Sequence, residues 1–483
     1  MKHIGAVVGS LLLLGTVAYG ADESSFDQRY VVVFTGSSIP ADAADLVAAA
    51  GGTLVDGLPE VGVGFATSAD PTFAERLQTA AGVESVGRED ELEVEAAGAG
   101  DGDEGSLVEG GADGGTPVAT GPTAADDLYA DQWNIRRVKA DQAWAVTTGS
   151  HNTVVAVLDT GIASNHPDVA PNLLFSTCFS TTGTCTTYPE SFAGATAPVN
   201  TFHGTTVATL IAGVFGGGRV VGAGPNLGLA SYKTFQRVSP TVVTIPASNV
   251  WKAMLDAANR GFKVINISVT FTLIIGGPDA AAQWTAWNRV ARRTQQLGTT
   301  IVSSAGNPGR NTNGTFARIP SDLPGVIAVS GTGIRPQPQY PQPGSFDVLA
   351  AYSDYGATEE VAAPSGDCGL DVGHTDISNT AIFCNPAQRP ANWEKYRLPV
   401  GIVTVDAACA ATKSCPVGYI RNIGTTYAAA ITSGVVGLIL DRDPSLNPQQ
   451  VRALLIRTAE PLGNQQFFGA GMVDAAAALA ALH

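Results

Sequence analysis

The chain is short of basic residues. Its 27 Lys and Arg stand against 43 Asp and Glu, for a net charge of −16, and no Lys or Arg lies between Arg88 and Arg136. Nothing in such a balance points to nucleic-acid binding, which needs a basic face. Long apolar runs are lacking too. After Ile4–Val17 no stretch is long and apolar enough to cross a bilayer. Cysteines number six, all beyond residue 127, and no spacing among them matches a zinc ligand set. Charged residues make up only 14% of the 483, and hydrophobic residues 45%. That is enough for a large core and more than one domain.

Lys2 and His3 precede the apolar run, and Ala18-Tyr19-Gly20 follow it. This predicts a secretory signal over 1–20. An oxidising destination favours disulfides for Cys178, Cys185, Cys368, Cys384, Cys409 and Cys415. Six cysteines allow fifteen pairings. Proximity favours 178–185, 368–384 and 409–415.

Three stretches carry chemistry. Gly424-Thr425-Thr426-Tyr427 runs straight into an apolar helix that ends at Asp441-Arg442-Asp443-Pro444. A hydroxyl on the first turn of such a helix sits at the positive end of the dipole, beside free N–H groups. Acyl transfer wants a nucleophile and an oxyanion site there; a helix capped by threonine is the plainer reading. Val154–Leu158 reads as a buried parallel strand ending in Asp159-Thr160-Gly161. His203 opens a helix of small residues, and Gly204 lets another backbone come close. Aspartate, histidine and hydroxyl, each at an element end, are the material of a charge-assisted triad.

Asp159-Thr160-Gly161, His203-Gly204-Thr205 and Gly424-Thr425-Thr426 resemble, in order, the three active-site motifs of the subtilisin-like serine peptidases (subtilases). Ile301–Ser304 and Ala305-Gly306-Asn307 resemble that family's strand and turn, whose asparagine donates to the oxyanion. The resemblance covers about 127–483. It implies Asp159, His203, Thr426 and Asn307 as the catalytic set, a peptide or protein as substrate, and an extracellular setting. Ser268-Val269-Thr270 stands where the family has its substrate-binding Ser-Leu-Gly, and Phe271–Ile275 follows before Gly276-Gly277-Pro278.

The family has serine where this chain has Thr426, a second histidine at Thr206, and methionine and proline at Tyr427 and Ala430. Threonine keeps the hydroxyl but adds a methyl and a stiff χ1. Ser433 is two helical turns further on and cannot replace it. Two readings stay open: a working endopeptidase, or a pseudopeptidase that binds peptides without cutting them. A structural surface domain is a third. An aspartic protease would need a second aspartate motif, and the chain has none. His166-Pro167-Asp168 invites a metal reading, although the family often has such a segment. Calcium is common in the family; no acidic loop here names its ligands, so no cofactor is assigned.

Residues 29–95 read in the order βαββαβ, a ferredoxin-like α+β layer. The strands are Tyr30–Phe34, Gly52–Val55, Val61–Phe65 and Val83–Val86. The helices are Asp42–Ala50 and Pro71–Ala81. Ahead of a peptidase-like part, this resembles the inhibitor-type propeptide of secreted subtilisins, a folding template and intramolecular plug. An unrelated binding module is the alternative. The domains expected are therefore signal peptide 1–20, propeptide 21–95, acidic Gly-rich linker 96–126, and peptidase 127–483. The linker is flexible and self-repelling, with processing within it or near its end. From 127, strands expected at 153–158, 228–233, 263–269, 300–304 and 325–330 alternate with helices at 205–214, 248–260, 280–296, 427–440 and 447–457. Such alternation predicts an α/β fold, a doubly wound, mostly parallel sheet. Segments 336–343 and 367–399 read as surface insertions.

Overall fold

The computed structural model describes residues 28–89, 91–94, 121–183, 185–189, 202–238, 243–333, 347–367, 396–403 and 407–482. Strands β1 (Gln28–Phe34), β2 (Thr53–Leu58), β3 (Val63–Ser68) and β4 (Val83–Arg88) form an antiparallel sheet ordered β2-β3-β1-β4, with helices α1 (Ala43–Ala49) and α2 (Phe73–Gln78). This is the split βαββαβ layer expected from the sequence. Pro71 lies in the turn before α2 rather than inside the helix.

Alternation along β1 divides the sheet between two cores. Tyr30, Val32 and Phe34 pack with Phe73 and Leu77 of α2. Val31 and Val33 face the other way, with Val63 and Phe65, against Trp251 and Trp287 of the larger domain. Strand β5 (Glu91–Val94) was not anticipated. It pairs antiparallel with β10 (Val243–Pro246), so the front layer is joined to the larger domain by a strand as well as by a face.

The larger domain opens with α3 (Trp133–Arg137) and α4 (Ala140–Ala143). Its main sheet has eight strands: β6 (Val154–Asp159), β7 (Leu173–Cys178), β8 (Gly228–Lys233), β11 (Val264–Ile267), β13 (Thr300–Ser304), β15 (Ile327–Gly333), β16 (Val348–Leu349) and β17 (Val361–Pro364). The order is β16-β15-β13-β11-β6-β8-β7, with β17 also on β15. Every pairing is parallel except β15 with β16.

Helices α5 (His203–Ala212) and α9 (Thr425–Arg442) cover one face. α6 (Ala247–Asn259) and α7 (Ala280–Gln296) cover the other. Strand β6 shows why the runs are continuously apolar. Val155 and Val157 join the core beneath α5 and α9, while Ala156 and Leu158 join the core beneath α6 and α7. Both faces are buried, as in doubly wound sheets.

Smaller elements complete the domain. Strand β9 (Gln236–Arg237) pairs with β10, and β12 (Phe271–Ile274) pairs with β14 (Phe316–Ile319). β18 (Leu398–Val403) pairs with β19 (Val417–Asn422). Four helices remain: α8 (Ala407–Thr412), α10 (Pro448–Thr458), α11 (Gln465–Phe468) and α12 (Ala475–Ala480). Phe271–Ile274, next after Ser268–Thr270, is thus a paired strand. Cys178 is bonded to Cys185 and Cys409 to Cys415. The expected 368–384 pair, the signal segment and the 336–343 segment lie outside the described residues, as does 368–395 of the second insertion. No helix among the described residues is long and apolar enough to cross a membrane.

Candidate active site

The C-terminal end of β6 delivers Asp159, which is fully buried. One of its carboxylate oxygens accepts from the Thr160 N–H at 2.6 Å. The Thr160 hydroxyl in turn accepts from the Gly204 N–H at 2.9 Å, fixing the start of α5 against the end of β6. Gly204 has no room for a side chain: a Cβ there would stand 2.5 Å from the Gly161 carbonyl. This close approach brings His203 Nδ1 to 2.9 Å from both Asp159 oxygens. Burial works against a charge on His203, but the Asp159 carboxylate outweighs it and raises the imidazole above its ordinary value. Nδ1 is committed to Asp159, which leaves Nε2 for proton transfer.

α9 starts after Gly424 without a side-chain cap, so threonine does not cap it. The Thr425 N–H and hydroxyl both donate to Asn307 Oδ1, at 2.9 and 2.8 Å. With its oxygen held, the Asn307 amide nitrogen is the end left to donate elsewhere. Thr425 Oγ1 also accepts from the Gly306 N–H at 3.3 Å. Thr426 is buried. Among the described residues the partner of its Oγ1 is the Ser268 carbonyl, 3.4 Å away, and not His203. Ser268 Oγ returns a long contact to the Thr426 carbonyl. Ser433, further down α9, donates to Asn266 at 2.9 Å.

Asp159 and His203 therefore meet at the ends of β6 and α5, and Asn307, after β13, meets the start of α9, with Ser268 against Thr426. Thr270 and Val269 follow Ser268 on the stretch that leads into β12. His166 is buried against Tyr419, with its value pulled down to about 4 by burial. Its Nδ1 stands 3.8 Å from Asp168. No group of three or more His, Cys, Asp or Glu among the described residues could hold a metal ion.

Sequence reasoning marked Thr206 and Tyr427 as separate departures, but they are neighbours. The Tyr427 hydroxyl lies against Thr206 and Asn422, and burial pushes it up to about 12. Thr206 Oγ1 donates to the His203 carbonyl at 2.7 Å. Only a contact across α5 and α9 reveals this pairing.

With that geometry in view, the comparison with known families is decisive: the profile of the subtilase family matches residues 150–471, more than half of the chain. The chain belongs to the subtilase family. Subtilisin DY of Bacillus licheniformis is 26% identical over 351 residues, spanning 72% of this subtilase and 97% of the relative. Among solved structures, the epidermin leader peptide processing serine protease of Staphylococcus aureus superposes with a TM-score of 0.65 at 20% identity. It covers 95% of this subtilase and 99% of that chain. The nisin leader peptidase of Lactococcus lactis gives 0.54 at 19%, over 74% and 96%. At such identities the structural likeness establishes the fold. The homologues of this subtilase are serine endopeptidases, and the hydrolase assignment follows from the family.

Proposed function

We propose that the chain is a secreted endopeptidase made as a preproprotein, in which Thr426 takes the place of the nucleophilic serine. His203 Nε2 accepts the Thr426 hydroxyl proton as Oγ1 attacks the peptide carbonyl, and then gives it to the leaving amine. Asp159 fixes the imidazole tautomer and stabilises its positive form. The Asn307 amide and the N–H of Thr426 hold the oxyanion. Water then cleaves the threonyl ester by the same route in reverse order. Residues 1–20 direct export, 21–95 act as intramolecular inhibitor, 96–126 tether, and 127–483 carry the chemistry. Two structural neighbours are leader-peptide proteases by name, which supports a peptide substrate.

The observations that carry this reading are the doubly held His203 and the Asn307 oxygen held by Thr425. A site losing its function has no reason to keep all of these in register. One observation favours a second reading, a catalytically impaired pseudopeptidase that binds peptides or proteins. Thr426 Oγ1 is turned to the Ser268 carbonyl, and a stiff χ1 must rotate before His203 can take its proton. A misplacement near 1 Å costs on the order of 10²-fold in rate.

The test is the N-terminus and mass of the purified secreted protein, for wild type, His203→Ala and Thr426→Ser. Trimming in wild type but not in His203→Ala establishes Thr426 as a working nucleophile. Thr426→Ser then raises kcat/KM by about 10²-fold. Full-length wild type with trimming only in Thr426→Ser establishes the pseudopeptidase instead.

A further inference from the structure

The turn that leads into Thr426 is held from outside. α9 has no side-chain cap, and Gly424, just before it, has φ 149°, a conformation that suits glycine. The Gly424 N–H donates to the Tyr352 hydroxyl at 2.9 Å and is shared with the Ser365 carbonyl at 3.0 Å. Tyr352 is buried, and burial pushes its phenol up, so the hydroxyl keeps its proton. Its oxygen stands 2.7 Å from the Ser365 hydroxyl, 2.7 Å from the Gly366 carbonyl and 2.9 Å from the Ser365 carbonyl. The one proton goes to that group of acceptors, and a lone pair is left for Gly424.

Two residues on, Asp354 holds the loop that carries Asn307. Its N–H donates to the Gly306 carbonyl at 2.9 Å. Its carboxylate accepts from the Arg310 N–H at 2.6 Å and from Arg318 Nε at 2.6 Å. Gly306 packs so closely on this carboxylate that a Cβ there would stand 2.5 Å from Oδ2. Gly306 and Arg310 lie on either side of Asn307 in the chain, so the loop is fixed at both ends. The segment that makes these contacts is itself tied to β15. The Ala350 N–H donates to the Gly331 carbonyl at 2.9 Å, and the Gly331 N–H donates to Ser353 Oγ at 3.0 Å. Residues 350–354 thus join the turn before Thr426 and the loop around Asn307 to one strand of the main sheet.

We propose that Tyr352 is a positioning residue for the oxyanion site, setting the Thr426 N–H against the Asn307 amide. The proposal rests on the peptidase reading for what the site does. Thr426 carries both its Oγ1 and its N–H, so no other residue has to place one against the other. Asn307 sits on a different loop, and the separation between the two donors needs an outside support. Donors that stabilise developing charge act best when they are fixed beforehand. Thr425 links the two loops directly, through Asn307 Oδ1. Tyr352 and Asp354 brace them from a common base.

The test follows self-trimming of the full-length secreted protein as a first-order rate, in wild type, Tyr352→Phe, Asn307→Ala and the double variant. Tyr352→Phe keeps the ring and leaves Gly424 its Ser365 acceptor. It is expected to slow trimming by about tenfold, and Asn307→Ala by on the order of 10²-fold. The double variant should trim no more slowly than Asn307→Ala, because no separation is left to set. Wild-type trimming in Tyr352→Phe would overturn the proposal. So would a double variant in which the two losses multiply, since Tyr352 would then act on the fold or on His203 instead. If wild type is not trimmed, the peptidase reading fails by itself, and the same cycle is run on the Thr426→Ser chain. Amide hydrogen exchange decides where neither chain is trimmed. Exchange at Gly424 and Thr425 about tenfold faster in Tyr352→Phe, with Ala429–Leu440 unchanged, upholds the support. Unchanged exchange at Gly424, or loosening of the whole helix, overturns it.

Discussion

His203 decides whether this site does chemistry at a given pH. Burial disfavours its charge, yet Asp159 at 2.9 Å holds the imidazolium, so the ring titrates above 6.5. The neutral ring is the one that accepts a proton from Thr426. We expect kcat/KM to climb as pH rises through a midpoint above 6.5, and Asp159→Asn to bring that midpoint down while cutting the rate. The stability effect has the opposite sign. A raised folded value means that the His203–Asp159 contact stabilises fully below the unfolded value and loses that contribution as pH rises through the folded one. Activity gain and loss of Tm therefore occupy the same window. A kinetic midpoint at or below 6.5 would show that Asp159 does not hold the ring in solution. Asp159, His203, Asn307 and Thr426 could be singled out in the sequence because each stands where an apolar strand ends or a helix of small and apolar residues begins. The buried Arg318–Asp354 ion pair could not be, since its partners lie 36 residues apart on different segments and meet only in the folded chain. The orientation of Thr426 Oγ1 was invisible for the same reason: its partner, Ser268, is 158 residues away.

At the scale of elements, α6 starts with no cap of its own. Pro246 stands at its N-cap, and the first-turn Ser248 N–H donates at 2.9 Å to Glu89 of the front layer. A carboxylate there meets both a free N–H and the positive end of the helix dipole. The return contact runs from the Arg88 N–H to Asp279, ahead of α7, at 2.7 Å. Two neighbouring residues thus stitch the front layer to the starts of two helices. Glu89→Ala should cost about 1 kcal/mol, or about fivefold in dissociation constant. The measurement is release of the front layer after the chain has been nicked between residues 96 and 120 by added protease. Unchanged release would mean that water replaces the Glu89 cap without loss. These elements were mostly readable in advance. α6 and α7 sit where their apolar periodicity puts them, and β6, β8 and β13 announce themselves as runs buried on both faces. Strands β5, β10, β12 and β14 gave no such signal, because short antiparallel strands away from the main sheet carry neither a long apolar run nor strict alternation.

Across the whole molecule, charge and apolar burial act on the same junction with different dependence on salt. Residues 1–126 hold 21 acidic against 4 basic side chains, and the remainder is nearly neutral. At the junction Asp56, Glu60 and Glu84 of the front layer pair with Lys252, Arg293 and Arg289 on α6 and α7. All three pairs are partly exposed, where each is worth at most about 1 kcal/mol and is screened by salt. Beneath them Val31, Val33, Val63 and Phe65 pack on Trp251 and Trp287, a contact that salt does not screen. Raising NaCl from about 0.05 to about 1 M shortens the Debye length from about 14 Å to about 3 Å. The nicked complex should weaken by roughly tenfold over that range and then level off. Sodium sulfate should weaken it less, because that salt also strengthens apolar burial. The dissociation constant of the nicked complex, titrated in each salt, separates the two terms. A constant that never responds to NaCl would assign the junction to the apolar face alone. One that keeps rising without a plateau would show that the ion pairs hold the front layer in place, and that the valine and tryptophan contact follows from their docking.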